Sequence, residues 1–198
     1  MLAAALALPP ANGLRRWTYH YLFGLIAVAG MRLSEAIGLL HRDSDLDGGV
    51  LTVQRSKFGK SRLLPLHRTT RKALLNYAER RDAHLGSRCG LHFFVAERGG
   101  RLLHQYVHRV FWRLSREIGL RHPGDHTGPR VHDFRHRFAV RTLLGWYREG
   151  INVEQQLPVL STYLGHACVR DTYWYLSACP ELMEEAARRL DRRWEARP

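Results

Sequence analysis

The run Leu160-Ser161-Thr162-Tyr163-Leu164-Gly165-His166-Ala167-Cys168-Val169-Arg170-Asp171-Thr172-Tyr173-Trp174-Tyr175-Leu176 changes character twice. An apolar, helix-like stretch breaks at Gly165 and presents a histidine at once. A second short helix then carries three aromatic residues in a row. A phenol nine residues after an imidazole, with a helix turn between, comes back to face it, and His166 and Tyr175 have that spacing. By itself the run reads first as a buried aromatic cluster capping a small core. The flanking sequence decides between the two.

On its N-terminal side, Asn152 to Leu164 is helical, with a start blurred by Pro158. Before that, Val131 to Trp146 is a helix with Phe134, Phe138, Leu143 and Leu144 toward the core and His132, Arg135 and His136 on another side. On the C-terminal side, Cys179-Pro180 begins an amphipathic helix, Glu181 to about Trp194, with Leu182, Met183, Ala186 and Leu190 as its apolar stripe. Further out, Gly119 to Arg130 is a loop. Leu103 to Ile118 is a helix with Tyr106, Val107, Val110, Phe111 and Leu114 inward. Leu91 to Ala96 reads as a short strand, followed by a turn over Glu97 to Arg101. Thr69 to Leu85 is an amphipathic helix whose basic residues, Arg71 to Arg81, read as a solvated face that also suits a polyanion backbone.

Val50 to Gln54 alternates and is β-branched, and Arg62 to Leu66 is its returning strand, kept to an edge by Pro65. The turn between them carries Lys57 and Lys60, and Asp43 to Gly49 is a turn before them. Asn12 or Gly13 to about Ala29 is a helix with Trp17, Tyr21, Leu22, Leu25, Ile26 and Ala29 at helical spacing. It is stopped by Gly30. Ser34 caps a second helix whose stripe is Ala36, Ile37 and Leu40. Between the two helices sits Arg32, and a guanidinium trapped there needs an anion. Residues 1–12 read as a terminal helix or tail ended by Pro9-Pro10. The sum is one mainly α (α+β) domain over 1–198, with many helices, a small β-hairpin on one side, and a C-terminal helix over 180–198.

The 198 residues carry 31 Lys and Arg against 18 Asp and Glu, a formal charge of +13. Such an excess, mostly arginine, concentrates polyanions, and nucleic acid is the leading partner. The competing account is a basic protein from an arginine-rich proteome with no such partner. Cys89, Cys168 and Cys179 form neither a disulfide framework nor a zinc ribbon, which fits a reducing cytoplasm. The opening apolar residues are too few, and lack the basic flank, for a signal peptide or a membrane span.

Six polar residues punctuate the apolar elements: Arg32, Lys57, His132, Arg135, His166 and Tyr175. Together they suit a phosphodiester. Two guanidinium forks take the non-bridging oxygens and hold the added charge of a pentavalent transition state, work that a metal pair does elsewhere. A tyrosine is a nucleophile that gives a covalent phosphotyrosine. With a free pKa near 10 it needs a base, and an imidazole serves. A lysine on a hairpin delivers a proton to the leaving sugar oxygen. The bland readings stand beside these: Arg32 as a cap or an ion pair with Glu35 or Asp43, Lys57 as a solvated turn with Lys60 competing, and His132 with His136 as a zinc pair that lacks completing ligands. Tyr173, Trp174 and Tyr163 read as packing residues, with Tyr173 the rival nucleophile, and His136 as structural or an extra DNA contact.

In order and spacing these motifs resemble the catalytic domain of the tyrosine recombinase (phage integrase) family. Gly30-Met31-Arg32-Leu33-Ser34-Glu35 is similar to its first arginine motif. Lys57-Phe58-Gly59-Lys60-Ser61-Arg62 with Pro65-Leu66 is similar to its hairpin lysine motif. His132-Asp133-Phe134-Arg135-His136 and Leu164-Gly165-His166 are similar to its H-x-x-R and L-G-H boxes, and Tyr175 falls at the nucleophile spacing. The resemblance implies attack by Tyr175, leaving a 3′-phosphotyrosyl link and a free 5′-hydroxyl. It implies a phosphate clamp from Arg32 and Arg135, His132 as base, and His166 as a hydrogen-bond partner of a phosphate oxygen. Lys57, not Lys60, is the implied proton donor. It implies double-stranded DNA as partner, no metal, no cofactor and no ATP. It also implies self-association on DNA, a tetramer in the family, with the C-terminal helix docking on a neighbouring copy or on its own domain. Family members carry an N-terminal helical domain that closes over DNA, and the sequence here is expected to lack it. Two rivals share the residues: strand relaxation of the type IB topoisomerase kind, and a truncated fragment that binds DNA without full recombination. The L-G-H box and the short span from His166 to Tyr175 favour recombinase.

Overall fold

The computed structural model describes residues 1–54, 59, 61–177 and 180–195. Among them are nine α-helices and one three-stranded antiparallel sheet, the mainly helical architecture expected. The chain divides into two compact units, Met1–Arg135 and His136–Pro198.

In the first unit, α1 (Leu2–Ala5) buries Ala5, and Leu8 follows it into the core, so the opening residues pack against α2 (Arg15–Ala29) and are not a loose tail. Helix α2 buries Thr18, Tyr19, Leu22, Phe23, Leu25, Ile26 and Ala29. Trp17 and Tyr21 are only half-buried, because they lie on its flank against α4, where the Arg80 guanidinium covers Trp17 at 3.8 Å. Gly30 ends the helix in the left-handed conformation (φ 60°, ψ 21°), its N–H bonded to the Ile26 carbonyl. Helix α3 (Leu33–Gly38) buries Ala36 and Ile37. Its cap is Arg32 and not Ser34: the extended Arg32 backbone starts the helix and its N–H donates to Glu35 Oε2 at 2.9 Å. Leu39, just past the helix, is buried where Leu40 was expected.

The sheet has the order β1-β2-β3. Strand β2 (Val50–Val53) pairs with β3 (Arg62–Pro65), which leaves β3 and its proline at an edge. The third strand is β1 (Ser44–Asp45), inside the segment expected to be only a turn. Its polar dipeptide carries no alternation to announce it. The strand expected over Leu91 to Ala96 does not form. Only isolated bridges, Leu40 with His92 and Val95 with Arg101, occur there. Its centre, Phe93 to Val95, is buried, and the backbone groups there find other partners: Phe93 N–H donates to the Leu39 carbonyl, Val95 N–H to the Tyr77 hydroxyl, and the Val95 carbonyl accepts from Thr18.

Helix α4 (Arg68–Leu85) contains one arginine that is not solvated. Arg81 is 3% exposed, donating to the Phe93 carbonyl at 2.9 Å and to Asp82 at 2.8 Å. Helix α5 (His104–Glu117) buries Val107, Val110, Phe111 and Leu114, but Tyr106 faces out at 48% exposure. Its outward face is basic and aromatic, carrying His104, His108, Arg109, Trp112, Arg113 and Arg116. Helix α6 spans His132–Arg148.

In the second unit Ala139, Leu143, Val153, Leu157, Leu160, Leu164, Tyr175 and Leu182 form one apolar cluster. Helix α7 (Val153–Leu164) starts cleanly, because the Asn152 side chain accepts from the Glu154 and Gln155 N–H groups. Pro158 lies inside the helix and does not blur its start. Gly165 closes it in the left-handed conformation (φ 68°, ψ 44°). Helices α8 (Arg170–Ser177) and α9 (Pro180–Glu195) follow. Leu182 at the start of α9 is buried in this unit's own cluster, while Met183 is 60% exposed. Among the described residues no helix is long and apolar enough to cross a membrane.

Candidate active site

The first unit gathers the arginines. Arg32 ends the short turn Gly30-Met31-Arg32 between α2 and α3, which the left-handed Gly30 makes possible. Its Nη1 donates to Glu35 Oε1 at 2.9 Å, the ion pair read as one option from sequence. Glu35 is held from the other side by Arg62 of β3, which donates from Nη1 to Oε1 at 3.0 Å and from Nη2 to Oε2 at 2.8 Å. Burial alone pushes the Glu35 carboxyl against ionising. The Arg62 hydrogen bonds, the Arg32 N–H, the Arg62 charge and the hydrogen bond from the Arg32 side chain outweigh it and hold the pKa below the ordinary glutamate value.

Arg135 comes to the same turn from 105 residues away. Its side chain is 1% exposed, and Nη1 donates to the Gly30 carbonyl at 2.7 Å. An arginine buried this far needs such partners. The carbonyl is available because Gly30 closes α2 and leaves its C=O outside the helical ladder. His132 lies three residues earlier on α6, hence on the same face one turn back. Partial burial of its ring, with help from the Arg135 charge and against that of Asp133, pulls its pKa below the ordinary histidine value, so the ring is neutral at pH 7. His132 also lines a cleft of about 550 Å³ with His108, Arg109, Trp112, Arg121 and Arg130. Lys57 lies outside the described residues.

The second unit holds the histidine and the phenol. The His166 N–H donates to the Ser161 carbonyl at 3.0 Å, which ties the residue to the end of α7. Its ring Nδ1 is 2.7 Å from the hydroxyl of the fully buried Thr172. Thr172 is one turn before Tyr175 on α8, so the same short helix orients both groups. The Tyr175 ring is 4% exposed and lies nearly parallel to His166, with centroids 6.0 Å apart and planes at 17°. The return of the phenol to the imidazole, expected from spacing, is present. His136 covers the same phenol at 5.2 Å. Tyr163 packs on Phe138 as expected. Tyr173 and Trp174 are not packed away: they are 49% and 59% exposed, on the side of α8 away from the buried Thr172 and Tyr175.

Among the described residues no group of three or more His, Cys, Asp or Glu side chains is placed to hold a metal ion. The sequence reading missed the anchoring roles of Arg62 and Thr172. Arg32 with Glu35 three residues on has capping-box spacing, and Thr172 stands three before Tyr175, so both spacings were in view. The pairing of Arg62 with Glu35 is long-range and has no local signature.

The family model described as "Phage integrase family" matches residues 10–181. The integrase/recombinase y4rB of Sinorhizobium fredii is 50% identical over 201 residues, an alignment covering 100% of this chain and 64% of y4rB. The crystal structure of XerA recombinase superposes with a TM-score of 0.72 at 22% identity, covering 95% of this chain and 59% of that one. The Tn1549 transposon integrase in complex with transposon right end DNA gives a TM-score of 0.68 at 16% identity, covering 96% and 62%. The chain thus spans about three-fifths of the length of these relatives. With the family model matching most of its length and the fold shared with those structures, the chain belongs to the phage integrase family, the tyrosine recombinases.

Proposed function

We propose that this chain is the catalytic portion of a site-specific DNA recombinase, cleaving and rejoining strands through a 3′-phosphotyrosyl intermediate. The observation that carries the proposal is the meeting of two distant arginine motifs. Arg135 is buried against the carbonyl of Gly30, two residues before Arg32, an arrangement costly for a core and useful for binding an anion. In this proposal Arg32 and Arg135 hold the non-bridging oxygens of the scissile phosphate and stabilise the charge that grows there. His132, neutral at pH 7, accepts the phenol proton of Tyr175. Tyr175 attacks phosphorus, and the 5′-oxygen leaves with a proton from Lys57. His166, oriented by Thr172, hydrogen-bonds a phosphate oxygen. The phosphoester energy is conserved in the covalent link, so rejoining needs no ATP, and two guanidiniums do the work of a metal pair.

Double-stranded DNA is the proposed substrate. The +13 charge, the basic outward face of α5 and a relative solved on transposon DNA support it. The relatives are recombinases and integrases, which favours strand exchange over strand relaxation. A cytoplasmic location and self-association on DNA belong to the same proposal. The first turn of α9 is committed to its own unit through Leu182, so any exchange between copies involves the helix beyond it. The proposal is tested with a nicked suicide substrate. A denaturant-stable protein–DNA adduct is expected, with or without EDTA. Tyr175→Phe is expected to abolish it while DNA binding stays nearly unchanged. An adduct that needs a divalent metal contradicts the chemistry.

A further inference from the structure

We propose that Arg62 is a positioning residue for Arg32: by occupying both oxygens of Glu35 it keeps that carboxylate from cancelling the charge that Arg32 presents to a phosphate. This rests on the assignment of Arg32 to the phosphate clamp.

Glu35 cannot leave Arg32. It accepts the Arg32 N–H at 2.9 Å as the start of α3 and the Arg32 Nη1 at 2.9 Å. A carboxylate this close would form a neutral pair with Arg32 if it had no other cation. Arg62 supplies the other cation in a two-pronged geometry, 3.0 Å to Oε1 and 2.8 Å to Oε2. The three side chains are 20% (Arg32), 4% (Glu35) and 9% (Arg62) exposed, so water screens them weakly. Two positive groups and one negative group leave the trio at +1. Without Arg62 it falls to zero, and without both Arg62 and Glu35 it returns to +1. Arg62 opens β3, opposite Val53, so the base of the hairpin is fastened to the turn that bears Arg32.

A plain structural strap makes a different forecast. If Arg62 only ties β3 to α3, removing its partner Glu35 as well cannot help. If Arg62 manages charge, removing Glu35 rescues. Single-turnover cleavage of the suicide substrate is measured for the wild type, Arg62→Gln, Arg62→Lys and the double variant Arg62→Gln with Glu35→Gln, with melting temperatures recorded for each. Arg62→Gln is expected to slow cleavage by at least about tenfold. Arg62→Lys and the double variant are expected to recover most of the rate, even if the double variant melts lower than either single change. A double variant no faster than Arg62→Gln overturns the proposal, as does an Arg62→Gln protein that cleaves like the wild type. If Arg62→Gln fails to fold, Arg62→Lys and the double variant decide: slow cleavage by both, when folded, overturns it. Absence of any adduct in the wild type instead removes the recombinase reading itself, and this proposal with it.

Discussion

His132 shows how a single side chain is tuned. Partial burial and the adjacent Arg135 charge depress its pKa below the ordinary histidine value. The folded state therefore resists a proton that the unfolded state accepts. Its contribution to stability is full above the ordinary histidine value and is lost as pH falls through the folded pKa. The same sign holds for base catalysis, since the neutral ring persists to lower pH than a free histidine. The single-turnover cleavage rate is expected to stay level from pH 8 down past about 6.5 and to fall only below it. A rate already halved near pH 7 contradicts His132 as the base. At this scale chemical identity was legible and environment was not. His132, Arg135, His166 and Tyr175 were named from the sequence, and their burial and partners came from the fold. Arg81 and Tyr106 were misplaced for the same reason. Helical period gives a face, but whether a tertiary neighbour covers that face is a long-range matter. Arg81 is covered by the Phe93 segment, whereas Tyr106 is left open.

Among the elements, the turn from α2 to α3 matters most to the site. It brings the Gly30 carbonyl to Arg135 and places Arg32 at a helix start. Gly30 has φ 60°, a conformation costly for a residue with a Cβ. Gly30→Ala is expected to cost about 1–2 kcal/mol and to lower the melting temperature by roughly 2–8 °C. It is also expected to slow cleavage, because the carbonyl that seats Arg135 shifts. Thermal denaturation beside single-turnover cleavage checks both. An unchanged melting temperature contradicts the backbone argument. The long helices were readable because their stripes are local and repeat. Short elements were not: Ser44–Asp45 becomes a strand only because Val50 and Leu51 lie opposite. Leu91 to Ala96 looks like a strand by composition, but side chains of α2 and α4 take its backbone groups.

For the whole molecule, excess positive charge and family membership bear on the same partner. If the +13 charge serves DNA binding, each phosphate neutralised releases counterions. With about six such contacts, affinity is expected to fall on the order of a thousandfold between about 50 and 200 mM salt, as read by fluorescence anisotropy of labelled DNA. A flat response contradicts DNA as partner. Family membership was legible because six residues in order outweigh the ambiguity of any one box. Much less legible was the framework behind them, the Arg62–Glu35 and Thr172–His166 contacts that fix how each group is held. The central claim is that Tyr175 becomes joined to DNA. The most direct measurement is digestion of the denatured suicide-substrate adduct and identification by mass spectrometry of the peptide that carries the nucleotide. The expected result is the peptide containing Tyr175, with the phosphate on that tyrosine and no adduct from Tyr175→Phe. A nucleotide on Tyr173 or on a histidine, or an adduct that persists in Tyr175→Phe, would contradict it.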